Sequence, residues 1–279
     1  DFFLAKVTLP EQEVVDGIIY LNINEGRLDK KDPYVIKAEN LRLYKDILTD
    51  YLENALSTGV TKNGLERALL NINDLPGVSA VSSIEPGVEE GSSKIVLNVV
   101  EDDLVSGSIT LDNHGNRYTA KQRNTVKIDF NNPSKIGDKL SITKTFNAGE
   151  KFDFTQFDYE VPVGQSGFKA FASASRLEFE IGKELKTNPV SLGNADNFEV
   201  GVKYPIQRTN NQSVFLKTSI EKKEIYNETT GVLTNNKTLE NTKIGLDFEG
   251  KNIFQDSSLT GVSVSGIFGD LDLSKVNSD

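Results

Sequence analysis

The sequence predicts a small α+β domain followed by a long series of antiparallel β-strands. Two observations lead to this prediction. Up to about residue 102, segments with helical hydrophobic spacing mix with segments in which apolar and polar residues alternate. After Asp103 the helical spacing does not return, and alternating runs of roughly ten residues follow one another between hairpin signals at 113–115 and 131–133.

The α+β domain is predicted with the element order β-α-α-β-β. Thr61 is placed to cap the second helix, and Pro76-Gly77 ends the helical part. The predicted elements are strand 33–37, helices 47–56 and 65–72, and strands 78–84 and 95–99. Both helices are expected on one face of a small sheet. Residues 101–103, Glu-Asp-Asp, are predicted to form a solvated junction with the later strands.

In the later part, apolar side chains alternate with Lys, Asp and Glu; Val126 and Ile128, for example, flank Lys127. The predicted strands are 106–112, 126–130, 140–146, 157–161, 168–179, 198–206, 214–222, 244–248 and 259–268. A membrane-spanning barrel and a soluble sandwich both alternate in this way. The barrel is favoured by strands near the ~10 residues that cross a bilayer and by long polar loops predicted at 183–194 and 227–237.

Composition excludes several classes of protein. Hydrophobic residues make up 37% of the chain, charged residues 26%, and no apolar stretch approaches the ~18 residues of a transmembrane helix. Cysteine is absent, which excludes disulfides and thiolate metal sites. The net charge of -10 argues against a nucleic-acid partner, because phosphate binding requires an excess of Lys and Arg.

Residues with catalytic or metal-binding chemistry are sparse. His114 is the only histidine and lies in a predicted hairpin turn. Asp112, Asn113 and Asn116 beside it are spaced as turn formers, and the bidentate Glu of a calcium loop is missing. We therefore predict no catalytic residue, no cofactor and no metal site, and we expect that the protein is not an enzyme.

Four stretches of the chain, 2–28, 65–102, 111–140 and 157–167, resemble one family in the same order along the sequence. The matching positions are Leu9-Pro10-Glu11-Gln12, Asp16-Gly17, Glu25-Gly26, Leu75-Pro76-Gly77-Val78, Pro86-Gly87, Gly91, Asp112-Asn113, Gly115, Gly137-Asp138, Tyr159, Pro162-Val163-Gly164 and Gly167. The chain resembles the two-partner secretion transporters, which export haemolysins, filamentous haemagglutinins and contact-dependent toxins.

This resemblance implies an α+β POTRA module (β-α-α-β-β) followed by antiparallel transmembrane β-barrel strands. Residues 1–26 would be the C-terminal part of a first POTRA domain, 27–102 a second POTRA domain, and 103–279 the N-terminal portion of an outer-membrane β-barrel. The family implies roughly sixteen strands, so about nine strands are expected to leave the barrel incomplete. We accordingly expect the chain to be a fragment of a transporter.

The implied function is recognition of an unfolded exoprotein by the POTRA domains and its export through the barrel pore. The implied location is the outer membrane of a Gram-negative bacterium, with the POTRA part in the periplasm. The expected partners are a secreted exoprotein with an N-terminal secretion domain and outer-membrane lipid, and the transporter is expected to be monomeric. Two alternatives stay open: an outer-membrane barrel assembly factor with POTRA domains, and a soluble all-β binding or adhesion protein.

Two sets of candidate site residues follow. An extended client can add to an exposed sheet edge as another strand, with alternate side chains supplying selectivity. The predicted client-binding residues are Val78, Val81, Ile84, Ile95, Leu97 and Val99, for which burial in the core is the alternative. The predicted pore-lining residues are Lys127, Asp129, Asp158 and Glu160.

Overall fold

The computed structural model describes residues 4–13, 17–24, 27–57, 59–89, 91–147, 149 and 151–273. The chain forms two compact units. The first, here called the α+β unit, runs up to Asp102 and includes Arg208–Asn210; the second, the sheet unit, contains Asp103–Gln207 and the chain from Asn211 onward. The family positions Asp16, Glu25 and Gly26 lie outside the described residues.

The α+β unit contains a two-stranded sheet, a second small sheet and two helices. Its elements are β1 (Lys6–Thr8), β2 (Asn22–Asn24), β3 (Arg27–Leu28), β4 (Tyr34–Ala38), α1 (Lys45–Leu56), α2 (Lys62–Asn73), β5 (Val78–Pro86) and β6 (Ser92–Glu101). Strands β1 and β2 pair with each other in an antiparallel manner. In the second sheet, β6 pairs in parallel with β3 and β4 on one side and antiparallel with β5 on the other. The predicted order β-α-α-β-β is thus present as β4-α1-α2-β5-β6.

Both helices contribute their apolar faces to one core. Leu48 and Leu52 of α1, Ile72 of α2 and Ile95 of β6 are fully buried in the same cluster. The Thr61 hydroxyl oxygen accepts a hydrogen bond from the Gly64 N–H at 3.0 Å, so the predicted cap is present and fixes where α2 begins. In the described part of the chain, neither helix is long and apolar enough to cross a membrane.

Glu101 at the end of β6 corrects the prediction of a solvated junction. Its side chain is only 1% exposed. The carboxylate accepts hydrogen bonds from the backbone N–H groups of Arg42 (2.6 Å) and Leu43 (3.1 Å), and it lies 3.0 Å from the Arg42 guanidinium. These donors belong to the loop before α1, whose backbone groups would otherwise have no partner when buried. Glu101 therefore joins the helical layer to the sheet.

The sheet unit is one antiparallel sheet in which each strand pairs with the strand that follows it. Its strands are β7 (Val105–Asp112), β8 (Arg123–Asn131), β9 (Lys139–Phe146), β10 (Phe152–Pro162), β11 (Lys169–Glu180), β12 (Leu192–Arg208), β13 (Gln212–Thr229), β14 (Val232–Lys251) and β15 (Leu259–Asp272). A short 3-10 helix, Lys183–Leu185, precedes β12. Among the described residues, β7 and β15 pair on one side only, so the sheet is not closed.

The prediction of a long loop at 227–237 is wrong. Strands β13 and β14 continue through this stretch, and only Thr230 and Gly231 connect them. Both residues have positive φ, 52° and 77°, as a tight two-residue hairpin turn requires. The Asn-rich composition favoured a loop, but Asn227 lies opposite Asn235 in the strand register. At the other predicted loop, 183–194, β12 already begins at Leu192.

Candidate functional site: a strand edge and a charged sheet face

The edge of β5 is the first candidate site, because β6 occupies only one side of this strand. The Asn73 amide covers its beginning: Nδ2 donates to the Ala80 carbonyl oxygen at 3.0 Å, and Oδ1 accepts from the Ala80 N–H at 2.7 Å. Backbone groups alternate in direction along an antiparallel strand, so those of Ser82 and Ile84 also point to this edge. Pro86, next in the series, has no N–H. The accessible part of the edge is therefore Ser82 to Ile84.

Four of the predicted client-binding side chains lie in the core instead. Ile95 and Leu97 have no exposed surface, and Val99 and Val78 are 3% and 5% exposed. The first three belong to β6, which is paired on both sides and therefore has no free edge. The structure corrects the prediction for these residues, because alternation in a strand with one buried face marks the buried side chains as readily as the exposed ones.

Val81 and Ile84 remain as candidates for client binding. Val81 is 68% exposed and Ile84 39% exposed, and both belong to the edge strand β5. They are three positions apart in the strand, so the two side chains point to opposite faces of the sheet. The sequence did not identify Asn73, which determines how much of this edge is open. Its position at the end of a predicted helix is ordinary, and only the fold brings its amide to Ala80.

The four predicted pore-lining residues lie on one face of the sheet unit. Asp129 of β8 and Asp158 of β10 both lie opposite Ser141 of the intervening strand β9. Lys127 and Glu160 are each two residues away on the same strands, so they share this face. Lys127 Nζ lies 3.4 Å from Asp129 Oδ2. The face that carries these residues is here called the charged face.

Ion pairs continue along the charged face onto β12, β13 and β14. Lys243 Nζ lies 2.9 Å from Glu221 Oε1 and 3.3 Å from Glu199 Oε2. The Ser219 hydroxyl donates to Glu199 at 2.6 Å, and the Asn241 amide donates to Glu221 at 2.9 Å. Each carboxylate in this network therefore has both a cation and a neutral donor, which is how partly buried charges are stabilised.

The opposite face of the sheet, here called the apolar face, leaves large hydrophobic side chains exposed. Phe157, Val200, Ile244 and Val264 are 48%, 39%, 47% and 66% exposed. Strand β12 shows its extent, because every second residue from Phe198 to Ile206 is apolar. These residues span about 26 Å along the strand at ~3.3 Å per residue. That length is close to the ~25 Å apolar band of membrane barrels.

Ion pairs mark one end of the apolar face. Arg176 Nε lies 2.7 Å from Glu178 Oε1, and Lys222 Nζ lies 3.0 Å from Glu224 Oε1. The apolar band ends abruptly at these residues. A uniform limit of this kind is expected where a sheet leaves the hydrocarbon layer, because charged side chains are costly inside it.

The family positions Gly137-Asp138 and Tyr159, which are distant in sequence, come together in the structure. Asp138 is fully buried in the turn after β8, and its Oδ2 accepts a hydrogen bond from the Tyr159 hydroxyl at 2.8 Å. Its Oδ1 accepts from the Ser134 N–H at 3.0 Å. Gly137 has a φ of 84°, which favours glycine. These positions therefore stabilise a turn and are not a ligand site.

The turn between β7 and β8 contains His114, as predicted. The Asp112 carboxylate accepts a hydrogen bond from the His114 N–H at 2.9 Å, and the Asn116 side-chain oxygen accepts from the Tyr118 N–H at 2.8 Å. Both contacts are typical of turn-forming Asp and Asn residues. Within the described ranges, no group of three or more His, Cys, Asp or Glu side chains is placed to hold a metal ion.

Comparison with known proteins gives a family match. The model of the haemolysin secretion/activation protein ShlB/FhaC/HecB family matches residues 91–264. The Heme/hemopexin transporter protein HuxB of Haemophilus influenzae (strain 86-028NP) is 25% identical over 275 residues, which are 97% of this chain and 47% of the relative. The Outer membrane transporter CdiB of Escherichia coli O6:K15:H31 is 26% identical over 154 residues, 55% of this chain and 25% of the relative.

Solved structures show the same fold. CdiB from Escherichia coli superposes with a TM-score of 0.75 at 20% identity, covering the whole of this chain and 51% of that one. BamA from Haemophilus ducreyi lacking POTRA domains 1–3 superposes with a TM-score of 0.52 at 11% identity, covering 95% of this chain and 53% of that one. This chain spans about half the length of the curated relative HuxB.

Proposed function

The chain belongs to the haemolysin secretion/activation protein ShlB/FhaC/HecB family, and from this premise we propose that it is part of a transporter that exports an exoprotein across the outer membrane. The expected family is thereby confirmed. The predicted location agrees with the name of the relative CdiB, an outer membrane transporter. The observation that carries the proposal is the two-sided sheet, with a continuous charged face and an exposed apolar face.

The two faces support a pore because each one suits a different solvent. The apolar face would contact lipid, and the charged face would surround a wet passage lined by Lys127, Asp129, Asp158 and Glu160. Unpaired backbone groups cost several kcal/mol each in hydrocarbon. We therefore propose that further strands of the full-length protein pair with β7 and β15 and close the barrel. A polar lumen whose charges already have partners binds a passing chain only weakly.

The α+β unit would act as a periplasmic POTRA module that receives the client. An unfolded client segment would add to β5 at the open edge from Ser82 to Ile84, with Val81 and Ile84 beside it. Main-chain hydrogen bonds supply affinity in this mode, and side chains supply selectivity. The Asn73 amide and Pro86 limit the edge at its two ends, which also protects a free strand from aggregation.

Export is tested by expressing the full-length transporter in a Gram-negative host together with a candidate exoprotein encoded next to its gene. The proposal expects the exoprotein in the medium, and its retention in the periplasm when residues 27–102 are deleted. Heat-dependent migration in gel electrophoresis serves as the control that the barrel still inserts. Normal export without the module would contradict its role as client receptor, and no export by the unaltered protein would contradict the proposed function itself.

The strand edge is tested by Ser82→Pro, which removes one N–H from the open edge and leaves the pairing with β6 intact. Ser82→Ala is the matched control because it retains the N–H. We expect Ser82→Pro to weaken binding of an exoprotein secretion-domain peptide about tenfold, since it removes a main-chain hydrogen bond and blocks the strand that would form it. Fluorescence anisotropy measures this binding, and equal affinity of the two variants would exclude this edge.

The two alternatives fit less well. A barrel assembly factor shares the fold, as the BamA superposition shows, but the matching family model is that of haemolysin secretion proteins. A soluble sandwich or adhesion protein would have to expose Phe157, Val200 and Ile244 to water over one whole sheet face, and exposed apolar patches of that size are rare on soluble monomers. The monomeric state and the contact with outer-membrane lipid remain part of the proposal.

A further inference from the structure

Two loops at one end of the sheet unit contact each other although other strands separate them. Loop A (residues 113–122) joins β7 to β8, and loop B (residues 181–191) joins β11 to β12. The Gly182 N–H of loop B donates a hydrogen bond to the Tyr118 carbonyl oxygen of loop A at 2.7 Å. Arg117 of loop A forms an ion pair with Glu184 of loop B. Strands β9 and β10 lie between the loops in the sheet, so the contact bridges about 14 Å, three strand spacings.

Loop A turns over the charged face of the sheet. A Cβ atom on Gly115 would lie 2.7 Å from Arg123 Nε, so loop A closely approaches the Arg123 side chain. Arg123 comes four residues before Lys127 on β8, which places it on the charged face. Phe152 comes six residues before Asp158 on β10 and shares this face, and its ring centroid lies 4.5 Å from the Arg123 guanidinium. The contact between the two loops therefore crosses the charged face, the proposed wall of the passage.

Each loop is also closed by hydrogen bonds of its own. In loop A, the Gly115 N–H donates to the Lys121 carbonyl oxygen at 3.0 Å. In loop B, the Ile181 N–H donates to the Ser191 carbonyl oxygen at 2.8 Å. Neither of these bonds involves the other loop. The contact between the loops can therefore break while each loop keeps its own conformation.

The contact itself is of a kind that breaks easily. The side chains of Arg117 and Glu184 are 58% and 64% exposed, and exposed ion pairs contribute little to stability and are screened by salt. The Arg117 guanidinium also lies 5.2 Å from the ring centroid of Tyr118, so loop A by itself orients this cation. The Arg117–Glu184 ion pair is here called the latch. Its closed state is preformed but only weakly favoured.

The two loops lie at the end of the sheet where an exported chain would leave the pore. Strand β7 begins at Val105, where the chain enters the sheet unit, and ends at loop A; β11 runs in the same direction and ends at loop B. With the α+β unit in the periplasm, as proposed, this end opens to the cell exterior. We propose that loops A and B form a strap across the outer mouth of the pore, which opens when an exoprotein passes and closes behind it. This inference rests on the proposed export function.

The test locks the strap in the full-length transporter. This chain contains no cysteine, so Arg117→Cys/Glu184→Cys introduces a single reactive pair once any cysteine in the remainder of the protein is replaced by serine. Both positions are well exposed, so a short bismaleimide reagent with a disulfide in its spacer can reach them from outside the cell. We expect crosslinking to lower export of the exoprotein about tenfold, because a strap that cannot open stops passage. A reductant that cleaves the spacer should restore export.

Lys151→Cys/Glu180→Cys is the matched control. These two residues also form an ion pair at this end of the sheet, but they lie at the ends of the neighbouring strands β10 and β11. Crosslinking them joins strands that are already paired, so export should stay normal. Equal export by Arg117→Cys/Glu184→Cys with and without the crosslink would overturn the strap while export still stands. If the unaltered protein exports no exoprotein, the proposed function fails instead.

Ion current through the full-length transporter in planar lipid bilayers measures the latch without an exoprotein. Glu184→Gln removes one charge of the latch, and at about 0.1 M salt we expect the open fraction to rise about threefold, as the loss of an exposed ion pair predicts. Raising the salt to about 1 M should produce the same rise in the unaltered protein and none in Glu184→Gln. Glu180→Gln is the control and should behave as the unaltered protein. An unchanged open fraction in Glu184→Gln would show that the latch does not hold the strap closed.

Discussion

The α+β unit and the sheet unit arrange the same kinds of residue in opposite ways. In the α+β unit, apolar side chains such as Leu48, Leu52 and Ile95 are enclosed between helices and sheet. Of the buried hydrophobic residues in the described part of the chain, only Ala120 and Phe215 belong to the sheet unit. Contacts on its charged face are instead largely polar, and most of its large hydrophobic side chains are exposed on the apolar face. Alternation of apolar and polar residues therefore shows that a strand has two different faces, but it does not show which of the two faces is buried.

The largest loss of stability is expected when a buried side chain of the α+β unit is truncated. Leu52→Ala should destabilise the α+β unit by about 2–5 kcal/mol, because Leu52 is fully buried and its removal leaves a cavity. Amide hydrogen exchange of α1 in the full-length protein measures this loss. Ile244→Ala on the apolar face, where the side chain is 47% exposed, is the control and should change stability far less, since lipid can fill the space. Similar losses at both positions would remove the contrast.

Adding a charge should have the next largest effect, and only on one face of the sheet unit. Ala170 lies opposite Val202, in the middle of the apolar run of β12, whereas Ser175 of the same strand lies on the charged face. Ala170→Arg should destabilise the inserted barrel by about 2–4 kcal/mol, the cost of an arginine near the middle of a bilayer. Ser175→Arg should be tolerated. Urea titration of the protein in lipid vesicles measures both, and equal tolerance would argue against lipid contact.

A smaller effect is expected where a charge belongs to the interior of the α+β unit. Glu101→Ala leaves the N–H groups of Arg42 and Leu43 without their acceptor, and we expect a loss of about 2–3 kcal/mol. Asp103→Ala, at an exposed position, is the control. Hydrogen exchange of the two amides measures the change directly. Unaltered protection in Glu101→Ala would show that the carboxylate is not needed at the junction.

The smallest effect concerns pH. Hydrogen bonds from the backbone N–H groups of Val88 and Lys31 lower the pKa of Asp29 from 3.8 to about 2. Since the folded pKa is depressed, the carboxylate stabilises the folded α+β unit above pH 3.8, and this contribution is lost as pH falls from about 4 to about 2. Asp29→Asn should remove the pH dependence in this range. Exchange of the Val88 amide, with exposed Asp32→Asn as control, measures it.

The charged face was predicted well because strand alternation fixes which residues share a side. Lys127, Asp129, Asp158 and Glu160 were assigned to one face from spacing alone, and the register places them there. The nine strands of the sheet unit were also predicted. Local residue spacing, by contrast, does not predict which strands pair with each other. The free edge of β5 and the central position of β6, which exclude Ile95, Leu97 and Val99 from client contact, appeared only in the fold.

The sequence by itself determined the family, the order β-α-α-β-β and the change at about residue 102, because hydrophobic period and turn residues are local properties. Only the tertiary structure decided which strand edge is open, that Asn73 covers part of it, and that Glu101 is buried. Each of these depends on side chains brought together across strands or layers. Long-range contacts of that kind leave no periodic signal in the chain.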